Sequence, residues 1–228
     1  MATLADLTWP EVEAGAAGWL LVVPVGATEQ HGPHLPLSTD TDIAVALSLL
    51  LDRGRDDVVV GPAVAYGSSG EHGGFAGTLS IGQSATESTL VELVRSADRF
   101  AGVVLVCGHG GNAEPVARAV RTLTGEGRRV LAWAPRVDGG DAHAGRTETS
   151  LLLALGRPVR EAAAERGETA PLAELAGALR TGGVAAVSPN GVLGDPTDAS
   201  AAEGKRLLRR LGDDLLACVA TWTETGSR

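Results

Sequence analysis

The chain has 228 residues, 44% of them hydrophobic, which is ample for one large domain or two small ones with a buried core. Its net charge of −9 argues against nucleic acid or an anionic membrane as the main partner. No apolar run reaches the roughly 20 residues that a membrane-spanning helix needs.

Aromatic residues make up only 3%, so Ala, Val and Leu must fill the core. Residues 1–13 lack the basic start and apolar centre of a secretory signal. Cys107 and Cys218 lie in apolar contexts with nothing to pair them. The expectation is a reducing, cytoplasmic setting.

Trp19 to Val25 is a continuous apolar run bounded by glycine, the pattern of a strand buried on both faces. It opens into Glu29-Gln-His31-Gly-Pro-His34-Leu-Pro-Leu-Ser-Thr-Asp40, a loop with four potential metal ligands. Carboxylate and imidazole together suit zinc, iron or manganese better than calcium or magnesium. Asp40 to Leu51 carries a helical apolar stripe. Val58 to Val60 reads as a second strand, followed by a long glycine-rich loop from Tyr66 to Thr78 and a brief extended piece, Leu79 to Ile81.

Ser84 to Phe100 reads as a helix, with Ser84 as N-cap and Glu87 completing a capping box. Gly102 to Cys107 is a third strand that runs into Gly108-His109-Gly110-Gly111-Asn112, and a helix follows to about Leu123. Arg129 to Trp133 is a fourth strand, leading to the loop that holds Asp141, His143, Arg146 and Glu148. Further helices are expected over Glu148 to Leu155, Pro171 to Leu179 and Ala199 to Trp222, with Val184 to Val187 as an edge strand. No repeat and no linker divides residues 1–228, so one domain is expected.

Strands alternating with helices predict an α/β fold with a mostly parallel sheet covered on both faces. Ligands bind such sheets at the carboxyl ends of the strands. The loops after Val25, Cys107 and Trp133 all leave such ends, which gathers Glu29, His31, Asp40, His109, His143 and Glu148 into one site. A few imidazoles with several carboxylates is the inventory that two adjacent divalent ions need. A lone histidine in an apolar run is more often structural, but here each lies among glycines at a strand end.

The motifs Val25-Gly-Ala-Thr-Glu29-Gln-His31-Gly-Pro-His34, Glu71-His72 with Phe75-Ala-Gly-Thr78, Gly108-His109-Gly-Gly-Asn112 and His143-Ala-Gly-Arg-Thr-Glu148-Thr-Ser150 follow in order. Together they resemble the creatininase family of metal-dependent amidohydrolases. Tyr66-Gly-Ser-Ser-Gly-Glu71-His72 and Gly191-Val-Leu-Gly-Asp195 are most similar to a branch of that family that cuts a modified, ribosomally made precursor peptide. The resemblance implies a three-layer α/β/α sandwich, a homo-oligomer, and a centre of two divalent transition-metal ions, iron, zinc or manganese. It implies a peptidase that releases a cross-linked Val–Tyr-derived dipeptide from the C-terminal part of its substrate.

Carried over by position, Glu29 and His31 each bind one metal, Asp40 bridges, and His109 joins Glu29. The family's creatininase pattern has a Glu where this chain has Gly111, and Glu148 is the replacement, with Glu114 as runner-up. Gly139 likewise replaces a tryptophan of creatininase. His143 is assigned as general acid and base, since an imidazole can take and return a proton near neutral pH. Hydrogen bonding of His143 to Asp141 or to a ligand carboxylate is the bland alternative. His34 has a supporting role in the loop.

Glu71 and His72 are read as substrate-pocket residues, Gly110 and Gly111 as backbone donors to an oxyanion, and Arg146 as a receptor for a substrate carboxylate. Asn112 is read as an N-cap and Cys107 as strand core. A creatinine or formamide amidohydrolase is the alternative within the family. A non-catalytic metal or small-ligand binding module is the alternative outside it. A nucleotide binder is disfavoured, because no G-x-G-x-x-G opens the first helix, no P-loop lysine is present, and carboxylates would repel phosphate.

Overall fold

The computed structural model describes residues 3–225. Helix α1, Trp9–Gly15, comes first, and Glu11 accepts from the backbone N–H of Thr8 at 2.7 Å to cap it. There follow β1 (Leu20–Val25), α2 (Thr39–Arg53), β2 (Val58–Val60), α3 (Gly82–Arg95), β3 (Gly102–Cys107) and α4 (Ala113–Gly125). Then come β4 (Val130–Trp133), α5 (Arg146–Ala154), α6 (Leu172–Val187) and α7 (Ala201–Thr225).

The strands form one parallel sheet of order β2-β1-β3-β4. Val22 sits opposite Val60 on one side and Val104 on the other. Because successive strand residues face opposite ways, the Val- and Leu-rich runs build two cores at once. Leu20, Val22, Val58, Val60, Val104 and Val106 pack against Leu47 and Leu51 of α2, Leu151 of α5, and Leu211 and Leu215 of α7. Leu21, Val23, Val59, Val103 and Leu105 pack against Leu90 and Val94 of α3, and Val116 and Leu123 of α4. The result is the expected α/β/α layering.

Three local expectations need correction. Val184 to Val187 is not an edge strand. It is the last turn of α6, beyond a break at Gly183, whose φ is +67. The strand-like Val and Ala pattern gave no helical period over so short a stretch. Helix α3 starts at Gly82, and Ser84 does not cap it. Ser80 lies one turn earlier, and its Oγ accepts from the Gly82 N–H at 3.2 Å. The helix also stops at Arg95, short of Phe100. Leu79 to Ile81 joins no strand ladder, but Leu79 N donates to Thr28 O at 2.8 Å, which ties this segment to the loop after β1.

Candidate metal centre

Loops leaving the carboxyl ends of β1, β3 and β4 converge above the sheet. After Val25 the chain doubles back, with Glu29 N donating to Leu37 O at 3.1 Å, and this places Asp40 in the first turn of α2. β3 passes through Gly108 into His109. A Cβ on Gly108 would come within 2.3 Å of the Asp40 carbonyl oxygen. Only glycine lets these two backbones touch, and the contact sets His109 beside Asp40.

Beyond β4, His143 pairs with Leu193 through backbone bonds of 3.2 and 2.9 Å. Ala144 then takes a left-handed turn, φ +51, and its N–H donates to Glu148 Oε2 at 2.6 Å. That bond fixes Glu148 in the first turn of α5. Asp141 accepts from the backbone N–H groups of Arg146 and Thr147, so it caps α5 rather than binding His143.

The side chains meet closely. His31 Nε2 is 3.1 Å from Asp40 Oδ1 and 3.8 Å from Glu148 Oε2. His109 Nδ1 is 3.1 Å from Asp40 Oδ2, and its Nε2 is 3.1 Å from Glu29 Oε2. His72 Nε2 and His143 Nδ1 approach Glu29 Oε1 at 3.2 and 3.8 Å. Donor atoms of Glu29, Asp40 and His109 all lie within 4.8 Å of one another, as do those of His31, Asp40 and Glu148. Asp40 belongs to both groups. A third combination of the same kind joins Glu29, His31 and His143.

These side chains fit a bound divalent ion. Both carboxylate oxygens of Glu29, and Oδ2 of Asp40, are buried with no aligned hydrogen-bond donor. Imidazole nitrogens stand 3.1 to 3.2 Å away, near enough for contact but wrongly directed for an N–H bond. A buried, unpaired carboxylate is costly unless it meets a cation.

The electrostatics point the same way. Burial, with Asp40 nearby, pushes Glu29 up to about 8. Burial pushes Glu148 up to about 7. Burial opposes a charge on His31, yet Asp40 outweighs it and holds His31 at about 10. His109 is raised to about 9 against burial by its contact with Asp40. Burial disfavours ionised Asp40, but His31 and His109 hold its carboxyl well below the usual range. Burial drives His143 well below its ordinary value and His72 down to about 3.

Of the residues read from the sequence, Glu29, His31, Asp40, His109, His143 and Glu148 are all brought together. Glu71 lies at the edge, with Oε1 3.9 Å from His109 Nε2. His72 is buried against Glu29 rather than lining an open pocket. Gly110 is exposed beside His109, and Gly111 is wedged behind it. Arg146 is not brought to the cluster; it pairs with Glu203 at 2.6 Å over a neighbouring acidic hollow. Glu114 also lies apart, paired with Arg118. His34 is fully buried and meets Thr149 Oγ1 at 2.9 Å. Asn112 occupies the N-cap position of α4, but its side chain makes no capping bond. Its side chain accepts from Ser68 N at 2.8 Å and donates to Gly26 O at 2.9 Å, stitching two loops.

Gln30 is the organiser that sequence reading passed over. Its amide donates to His72 Nδ1 at 2.8 Å and to Gly191 O at 3.0 Å. Its backbone carbonyl accepts from His143 Nε2 at 2.9 Å. The amide nitrogen also lies 3.0 Å from His143 Nε2; assigning its two hydrogens to His72 and Gly191 puts the proton of neutral His143 on Nε2 and leaves Nδ1 open toward Glu29.

The sheet and cluster belong to a class of hydrolases that act on C–N bonds. A sequence model described as creatinine amidohydrolase matches residues 5–219, and the chain belongs to the creatininase family. It is 50% identical over 214 residues to the mycofactocin precursor peptide peptidase of Mycolicibacterium smegmatis, covering 89% of this chain and 85% of that relative. It is 48% identical over 226 residues to the protein of that name from Mycobacterium ulcerans, covering 95% and 87%. A crystal structure of creatinine amidohydrolase shares the fold with a TM-score of 0.80 at 24% identity, over 96% of each chain. Other solved creatininases of this fold are described as a manganese form and a zinc–zinc form.

Proposed function

We propose that this chain is a metal-dependent peptidase that cleaves the modified mycofactocin precursor peptide and releases its C-terminal Val–Tyr-derived dipeptide. The substrate follows the name of the relatives. The observation that carries the chemistry is a set of five donors, four buried and Glu148 half-buried, in which Asp40 is shared between two groups. Glu29, His109 and Asp40 would hold one divalent ion, and His31, Glu148 and Asp40 the other. Iron, zinc and manganese all accept such ligands, and the manganese and zinc–zinc creatininases support the choice. When bound, the ions supply Lewis acidity to the scissile carbonyl and to the attacking water.

The chain's own residues do the rest. Gln30 O holds the His143 Nε2 proton, so Nδ1 is the atom that takes a proton from water and returns it to the leaving nitrogen. Burial keeps His143 neutral and its lone pair available. The Gly110 and Gly111 amides stand beside His109, where an oxyanion would be met. Glu71 borders the cluster on the substrate side.

We read residues 1–228 as one domain, a reading supported by the single sheet that both cores share among the described residues. A cytoplasmic setting accords with two unpaired cysteines, Cys107 and Cys218. A homo-oligomer accords with α6, an apolar helix of which only Val184 is buried.

The test replaces Glu29→Gln and Asp40→Ala, then measures bound metal by elemental analysis and products by mass. Metal content should fall, and cleavage should drop by more than about a hundredfold. Full metal content and undiminished cleavage in both variants would sink the reading. Creatinine and formamides, assayed beside the modified peptide, should not be turned over.

A further inference from the structure

β4 leaves one edge of the sheet open. Val103 N donates to Arg129 O, so the alternation of a parallel ladder turns the backbone groups of Leu131 and Trp133 toward β3. The N–H and C=O groups of Val130 and Ala132 therefore point outward. Among the described residues no further strand or loop takes them. A groove of about 610 Å³ runs along this edge between α4 and the end of α7. Val120, Leu131 and Trp222 line it, Arg121 and Arg136 stand exposed in it, and one end is formed by His109 and Gly110 of the metal loop. Neither guanidinium has an ion-pair partner among the described residues.

We propose that this groove holds the part of the peptide substrate upstream of the scissile bond, added as a fifth strand to β4, with acidic side chains meeting Arg121 and Arg136. The proposal rests on the peptidase reading. An open strand edge gives main-chain affinity, and flanking pockets and charges give selectivity. Two cationic groups on a chain of net charge −9 mark where a carboxylate-bearing segment is attracted rather than repelled.

The topology sets the direction. Val106 pairs with Trp133, and His109 lies three residues beyond Val106, so the carboxyl end of β4 lies by the cluster. A strand parallel to β4 carries its own C-terminal end toward His109, as cleavage near a C-terminus requires. An antiparallel strand would present the wrong end. A second copy paired edge to edge about a two-fold axis is disfavoured, because it would set like arginines on both sides of the seam.

Two variants test this: Arg121→Glu combined with Arg136→Glu, and Ala132→Pro, which removes an outward N–H without touching the bonds to β3. Metal-loaded protein is assayed with the whole modified precursor and with a short C-terminal fragment of it. Binding of labelled whole precursor is followed by fluorescence anisotropy. For the whole precursor, KM and the dissociation constant should both rise about tenfold or more, with kcat unchanged. The fragment's KM should stay the same, which also shows that the variants are folded.

Equal effects on both lengths, or none on either, would overturn the groove assignment. So would loss of self-association without any length dependence, which would mark the edge as a subunit contact. If wild-type protein binds the precursor but cleaves neither length, the peptidase reading fails separately, and the anisotropy series still decides the groove.

Discussion

Gly111 stands where the resemblance to creatininase leads one to expect a Glu, and its surroundings leave no room for a side chain. A Cβ there would lie 2.3 Å from Ser68 O and 2.4 Å from Glu71 Oε1. The Tyr66 to Thr78 loop fills that space, and its Glu71 carboxylate borders His109. Gly111→Ala must therefore push a backbone carbonyl, and overpacking of that kind costs about 1–3 kcal/mol. We expect the melting temperature to drop by roughly 2–10 °C, with activity falling further because His109 moves too. A melting curve superimposable on wild type would show that the loop yields freely. His31, His109 and His143 were legible because each lies near glycine in a loop that leaves a strand end, and Glu29, Asp40 and Glu148 because they share those loops and the motifs of the family. Gln30 was not, because a glutamine between two ligand types looks like filler. Its partners His72, His143 and Gly191 are far away in sequence, and only folding brings them together.

At the level of elements, buried strands are the easiest features to read. A run such as Gly102 to Cys107, buried on both faces, has few other solutions. Helix ends were less legible. The cap of α3 depends on Ser80, which lies before the helix and also accepts from Ser69 N, a contact no local pattern encodes. α1 gave too little amphipathic signal to be read, since none of its residues is buried. α6 has the opposite character. Leu172, Ala173, Leu175, Ala176 and Leu179 make it apolar, yet the described chain leaves them partly or fully exposed. A helix hydrophobic on most sides is ordinarily covered. Replacing Leu172 and Leu175 with Glu should weaken assembly by about tenfold or more per leucine, since each buried leucine is worth about 2 kcal/mol. Light scattering across a dilution series reads this directly. A mass identical to wild type at every concentration would show that these leucines carry no subunit contact.

At the scale of the whole molecule, the centre ties stability to pH and to metal. Consider the chelator-treated chain between pH 6.5 and 8. Glu29, His31 and His109, with folded values of about 8, 10 and 9, stay protonated after their unfolded counterparts have released protons. The native state then binds more protons than the unfolded one, so stability falls as pH rises. Each group contributes at most about 1.4 kcal/mol per pH unit. Glu148, at about 7, adds only to the start of the window. His34, His72 and His143, all lowered by burial, are neutral in the folded state, while their unfolded counterparts are half protonated at pH 6.5; they oppose the fall at the start of the window and fade above about pH 7.5, alike with and without metal. Metal reverses the slope, because its ligands must be deprotonated and binding strengthens as protons leave. Groups away from the centre titrate alike in both forms and cancel in the difference. The gap in melting temperature between metal-loaded and chelated protein should therefore widen from pH 6.5 to 8. Calorimetry at fixed free metal measures it. A gap that stays constant across this window would mean that these side chains do not share their protons and their metal in one cluster.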